Sequence, residues 1–205
     1  MTHVEDSWEP VPLTEAVRLF RESAAPWWVG GGYAVELAAG RSWREHADVD
    51  IGLLRRDQHA IRRVLSGWDC HVADPPGTLR PWPVGETLPV DAHDVWVREH
   101  AGGPWRFQLM LDESDGDEWV YRRDGRIRRP LDSLTVADDG FRRLALDVQL
   151  LYKARGRRAK DEADFAEALP ALTAVQRCWL NEALAIEHGA HPWRAWLDDR
   201  STRNG

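Results

Sequence analysis

Trp27-Trp28-Val29-Gly30-Gly31-Gly32-Tyr33-Ala34-Val35-Glu36, followed after a short polar segment by Asp48-Val49-Asp50-Ile51-Gly52-Leu53-Leu54, is the stretch on which the reading turns. An apolar run leads into three glycines, and helical spacing begins at Tyr33. Glycine lets a backbone come close to a ligand, and the N–H groups that open a helix can receive phosphate oxygens. A glycine triplet by itself serves equally well as a tight entry turn. The second half carries more information. Asp48 and Asp50 stand at i and i+2 of a segment that alternates polar and apolar, so on a strand both carboxylates face the same side. Side by side they repel unless a cation lies between them. Magnesium, which takes carboxylate and phosphate oxygens, fits that need. The bland alternative is a solvated edge strand. It is weakened by the apolar Ile51, Leu53 and Leu54 directly behind and by the glycine turn upstream.

Outward from this stretch, Leu13 to Ser23 reads as a helix with Leu13, Val17 and Phe20 on one face. Gly40 is placed to cap the helix from Tyr33 to Ala39. Asp57 can open a helix running to about Trp68. The middle reads as β: His71 to Ala73, Val95 to Val97, Trp105 to Leu111 and Trp119 to Tyr121, with a long Pro- and Gly-rich loop from Pro75 to Pro89. After Pro130 the pattern turns helical, with Asp147 to Ala154, Lys160 to Leu169 and Ala174 to His188. The expected fold is α/β (α+β): a mixed sheet with flanking helices and a helical C-terminal region, divided as a core over 1–135 and a helical part over 136–205.

The 205 residues, 43% of them hydrophobic, suffice for one well-packed core. The net charge of -7 argues against general nucleic-acid binding and points to a cationic small substrate. Cys70 and Cys178 make no disulfide framework, so a cytoplasmic location is expected. The N-terminus lacks the basic start and apolar run of a signal peptide, and no segment is apolar enough to span a membrane.

The run Val29 to Glu36, then Gly40-Arg41, Arg44, His46 and Asp48-Val49-Asp50-Ile51, resembles the signature of small-molecule nucleotidyltransferases. The aminoglycoside 2''-adenylyltransferases, with lincosamide nucleotidyltransferases nearby, show a similar glycine turn, Gly-Arg pair, Arg, His and Asp-hydrophobic-Asp strand. Trp119 to Arg123, Gln149 to Lys153 and Lys160 to Asp164 carry a looser resemblance to the same superfamily over most of the chain. The resemblance implies attack by a substrate hydroxyl on the α-phosphorus of a nucleoside triphosphate, with magnesium as cofactor and ATP as co-substrate. It implies Asp48 and Asp50 as metal ligands, and Gly30, Gly31, Arg44 and Lys153 on the nucleotide. The acceptor would be a small hydroxylated molecule such as an aminoglycoside-like antibiotic.

Such enzymes place a further carboxylate on a neighbouring strand. In Trp105 to Asp112 the corresponding position falls at Gln108, an amide that cannot act as a base at neutral pH. Asp112, and less directly Asp91, are the substitutes within reach, so Asp112 is the expected third catalytic carboxylate. Asp112 also opens the acidic segment to Glu118, where a solvated turn is the plainer reading. The cluster Arg122, Arg123, Arg126, Arg128 and Arg129 can hold a triphosphate or simply balance that acidic segment. Arg44 can equally be a loop arginine, Lys153 a snorkelling side chain, and His46 a structural residue. Lys160 is a weaker phosphate candidate than Lys153. If the base is lost, the chain is a degenerate nucleotidyltransferase fold that binds nucleotide or a partner without transfer. A toxin-like or RNA-directed role finds no aromatic-interleaved basic stripe.

Overall fold

The alternation in Asp50–Leu54 decides the architecture. In the computed structural model, which describes residues 7–75 and 77–198, this segment is β2 at the middle of a ten-stranded mixed sheet. Ile51 and Leu53 point into one apolar core and Leu54 into another on the opposite face, so both faces of β2 are covered. The residues read for a leader lie partly outside the described set, as does Pro76.

The helices are α1 (Leu13–Phe20), α2 (Gly31–Ala39), α3 (Gln58–Val64), α4 (Leu146–Ala154), α5 (Ala159–Ala168), α6 (Ala174–His188) and α7 (Trp193–Asp198). The other strands are β1 (Trp27–Val29), β3 (Asp69–Ala73), β4 (Leu79–Pro81), β5 (Asp94–Arg98), β6 (Phe107–Asp115), β7 (Glu118–Val120), β8 (Arg128–Pro130), β9 (Thr135–Ala137) and β10 (Arg142–Leu144). The main path runs β4-β3-β5-β6-β2-β1-β10-β9, with β7 and β8 continuing from the far end of β6. β2 lies parallel to β6, with Asp50 opposite Gln108 and Gly52 opposite Met110. β5 is antiparallel to β6, with Asp94 opposite Met110. One core joins Ile51, Leu53, Val95, Val97, Phe107, Leu109 and Leu111 to α1 and α3. The other joins Trp28 and Leu54 to the C-terminal helices through Leu150, Leu151, Leu180 and Leu184. Between the C-terminal helices and the β2–β6–β5 part of that second face a cleft stays open.

Several expectations need correction. Strand pairing begins at Asp50, so Asp48 lies just before β2. The segment after Pro130 does not turn helical at once; β9 and β10 first extend the sheet beside β1, past the boundary expected at 135. Their shortness hid them. The Pro75 to Pro89 segment contains β4, paired to β3 at the far edge of the sheet. The acidic segment from Asp112 is largely β6, running into a hairpin rather than opening as a loop. Among the described residues no helix is long and apolar enough to cross a membrane.

Candidate active site

The cleft has a volume of about 590 Å³ and is bounded by the start of α2, the face of β2, β6 and β5, and the end of α4 with the start of α5. Asp48, Asp50, Gly30, Gly31, Arg44, Lys153 and Asp112, all singled out in the sequence, line it. Asp91 does not; it is exposed elsewhere.

The glycine turn is shaped around Asp50. Gly31 has φ of 63°, and a Cβ there would overlap the Asp50 carboxylate, so only glycine allows this approach. The expected phosphate contacts of Gly30 and Gly31 are changed, because both N–H groups are engaged internally. Gly30 N–H donates to the Asp50 carbonyl at 2.8 Å and Gly31 N–H to Gln149 Oε1 of α4 at 2.7 Å. The next N–H groups of that first turn, on Gly32 and Tyr33, have no intrahelical acceptor and are the donors left for an anion.

Asp48, Asp50 and Asp94 bring three carboxylates to the cleft. Burial first, and then the negative charge of Asp48, push the Asp50 carboxyl up to about 7, with Asp94 adding to the effect and Lys153 and Lys160 opposing it. Groups this averse to ionising together suit a divalent cation. Among the described residues no set of three or more metal-binding side chains is assembled. Two carboxylates completed by substrate phosphates and water are, however, the customary protein share of a magnesium site. The residues present therefore fit the metal.

Arg44 and Lys153 are neither a free loop arginine nor a snorkelling lysine. Arg44 makes a two-point contact with Asp164 of α5, each bond 2.9 Å, and Lys153 Nζ lies 2.7 Å from the same carboxylate. Lys153 also stands 3.5 Å from Asp161, which Arg158 bonds as well. Three cations thus share two carboxylates along one wall. Burial works against ionising Asp164, but its bonds to Arg44 and Lys153 prevail and hold it down at about 2. Glu36 of α2 accepts the N–H groups of Trp43 and Arg44 and pairs with His46, which packs on Tyr33 at 4.1 Å; this fixes the loop that aims Arg44. His46 serves structure.

Asp112 lines the cleft from within the core. It is 4% exposed and accepts hydrogen bonds from Trp119 Nε1 at 3.0 Å and from the Tyr152 hydroxyl. Burial raises its pKa. Both bonds fall on Oδ1, and through them Asp112 anchors Tyr152 beneath the cleft. Gln108 does sit directly beside Asp50, so the amide occupies the position where a third carboxylate was sought. Asp94, which sequence reasoning missed, stands one strand further on. One of its oxygens has no hydrogen-bond partner among the described residues and lies 3.7 Å from Arg122 Nη1. The alternation Asp94-Val95-Trp96-Val97, with Val95 and Val97 in the core, was the available signal.

The arginine cluster divides. Arg128 pairs with Asp115 and Glu118, as a hairpin charge balance would have it; Arg126 pairs with Asp124 and Arg129 with Asp147. Arg122 and Arg123 instead line the cleft, both against the Tyr152 ring. Among the described residues none from Pro75 to Pro89 lines it, and Trp28 is its sole tryptophan. β4 is too far along the sheet to reach.

A sequence profile of the family described as aminoglycoside-2''-adenylyltransferase matches residues 12–81, which contain the glycine turn, Arg44 and both early aspartates. No curated protein sequence matches the chain. Among solved structures, the lincosamide antibiotic adenylyltransferase LnuA with lincomycin bound is similar, with a TM-score of 0.53 and 15% identity over 78% of this chain and 98% of that one. ANT(2")-Ia in complex with adenylyl-2"-tobramycin is similar with a TM-score of 0.54 and 13% identity, over 85% and 95% of the two chains. At such identities the likeness concerns the fold. The chain therefore has the nucleotidyltransferase fold and, across residues 12–81, which supply the glycine turn, Arg44, Asp48 and Asp50, is similar in sequence to the aminoglycoside-2''-adenylyltransferases.

Proposed function

We propose that this protein is a magnesium-dependent nucleotidyltransferase that moves a nucleoside monophosphate, AMP from ATP, to a hydroxyl of a small molecule. The observation that carries the proposal is the meeting of Asp48 and Asp50 with the start of α2 in a cleft walled by Arg44, Lys153 and Arg158. Asp48 and Asp50 would hold the metal, which when bound neutralises the phosphates and fixes their orientation. The Gly32 and Tyr33 N–H groups and the α5-side cations receive the triphosphate. Holding the acceptor hydroxyl in line with the α-phosphorus supplies much of the rate. The hydroxyl oxygen bonds to the α-phosphorus, the bond to the bridging oxygen breaks, and pyrophosphate leaves. The hydroxyl proton passes to Asp94, the cleft carboxylate whose free oxygen can accept it. Antibiotic adenylylation, as the names of the similar structures suggest, is one such reaction. The two free cysteines suit a cytoplasmic setting.

The test is thermal stability with each nucleoside triphosphate, with and without magnesium, on the natural chain and on Asp48→Asn/Asp50→Asn. At a hundredfold excess over Kd, binding adds about 2.7 kcal/mol, and the double variant should lose it. No shift with any nucleotide would end this reading. A second reading, nucleotide binding without transfer, is favoured by Gln108 beside Asp50. Asp94→Asn and Gln108→Glu separate the two. On the first reading Asp94→Asn lowers transfer about 10²–10⁴-fold with nucleotide binding retained. Transfer that appears only in the Gln108→Glu variant supports the second.

A further inference from the structure

Net charge suggested a cationic substrate, but the cleft has the opposite character. Of its cations, Arg44, Lys153 and Arg158 are matched by Asp164 and Asp161 on the α5 side, and Arg155 and Lys160 are exposed to solvent. Arg122 and Arg123 form a separate pole. Arg122 touches Asp94, which β6 separates from β2, so this pole lies about two strand spacings, roughly 10 Å, from the Asp48–Asp50 pair. The Arg123 guanidinium bonds only neutral partners, the Tyr121 hydroxyl at 2.9 Å and the Tyr152 carbonyl at 3.4 Å. Among the described residues no carboxylate lies within ion-pair distance of it. Both guanidiniums lie over the Tyr152 ring, at 5.6 and 5.5 Å from its centre. Tyr152 is in turn held by Asp112 from below, so the platform is fixed from both sides.

A polyamine brought here would meet two arginines. Of the cleft carboxylates it could pair with, Asp48 and Asp50 belong to the proposed metal, Asp112 to Trp119 and Tyr152, and Asp161 to Lys153 and Arg158; Asp94, the one left, stands 3.7 Å from Arg122 itself. Paired guanidiniums on an aromatic floor are instead suited to the oxygens of a phosphate or carboxylate, which they can grip at two points. Building on the nucleotidyltransferase reading, we propose that the acceptor is a hydroxylated anion, seated by its phosphate or carboxylate on Arg122 and Arg123, and not a polycationic aminoglycoside.

The experiment uses the full chain loaded with magnesium and α,β-methylene-ATP, which occupies the triphosphate site and cannot transfer. Inorganic phosphate, acetate and tobramycin are then titrated separately by calorimetry. Phosphate or acetate should bind the loaded protein, the tighter of the two telling a phosphate from a carboxylate acceptor. Arg123→Gln should weaken that anion about tenfold and Arg123→Lys, which keeps the charge and loses the two-point grip, by a smaller factor, and both variants should keep α,β-methylene-ATP binding as proof of fold. Tobramycin should not bind. Failure of both anions to bind the loaded natural chain, anion binding indifferent to Arg123→Gln, or tight tobramycin binding would each overturn the acceptor class and leave the enzyme reading standing. Failure of α,β-methylene-ATP to bind the natural chain would bring down both.

Discussion

Replacing Asp50 with Asn should stabilise the metal-free protein, by an amount that depends on pH in a defined direction. Burial and the neighbouring Asp48 raise the Asp50 carboxyl from its ordinary 3.8 to about 7. At about 1.4 kcal/mol per tenfold change in acidity, that difference sets a ceiling of about 4 kcal/mol. Asp48 shares the repulsion, and half of the ceiling, about 2 kcal/mol, is the working figure. The raised value means that the folded state holds a proton the unfolded state has released. Stability therefore falls as pH rises from about 4 to about 7, and the full cost is present above that. An amide carries no such cost. For a chain of 205 residues about 2 kcal/mol corresponds to a Tm gain of about 4–8 °C. Melting curves in EDTA should show this gain at pH 8.5, shrinking toward zero near pH 4.5. Adding magnesium and ATP should reverse the order, since only the natural carboxylate holds the ligand. An Asp50→Asn variant no more stable than the natural protein at pH 8.5, or equally stabilised at both pH values, would refute the account of Asp50 as a strained metal carboxylate.

Two further substitutions probe the frame around it. Gly31→Ala forces a side chain into φ of 63° and onto the Asp50 carboxylate, and should cost about 1–3 kcal/mol in urea unfolding; an unchanged midpoint would show that the turn is looser than described. Asp164→Asn leaves Arg44 and the buried Lys153 without their shared carboxylate and, with Asp164 lowered from 3.8 to about 2, should cost about 2–3 kcal/mol at pH 7. Because Asp164 is held down at about 2, its contribution is complete above about pH 4 and is lost as pH falls toward 2. The gap between variant and natural protein should therefore close in acid, and a gap that persists at pH 2 would point to packing instead of charge.

Local chemistry made part of this protein readable from its residues in order. The glycine turn, the helix it opens, the Gly40 cap at φ of 69° and the Asp50 strand depend on backbone freedom and on period-two alternation within a few residues, so they were legible. The helix Ala174–His188 has the bounds expected of it, and in the structure a capping box of Thr173 and Gln176 opens it. The short strands β4, β9 and β10 were not legible, since three residues carry no periodicity and pair only because a neighbouring edge is there. The carboxylates show the same division. Asp48 and Asp50 are neighbours in the chain, and their repulsion can be inferred from spacing alone. Asp112 and Asp94 both line the cleft, but which of them is hydrogen-bonded there depends on strand register and on Trp119 and Tyr152 arriving from distant elements to claim Asp112. The charge of the cleft was likewise out of reach: a net charge of -7 sums over the whole surface, whereas folding sets Asp164 and Asp161 against one group of cations and leaves Arg123 without a carboxylate. Composition and spacing thus determined the sheet's central strand and the proposed metal pair. Only tertiary structure decided which other charges meet them, because pairing over long sequence separations is a property of the packed chain and not of any segment within it.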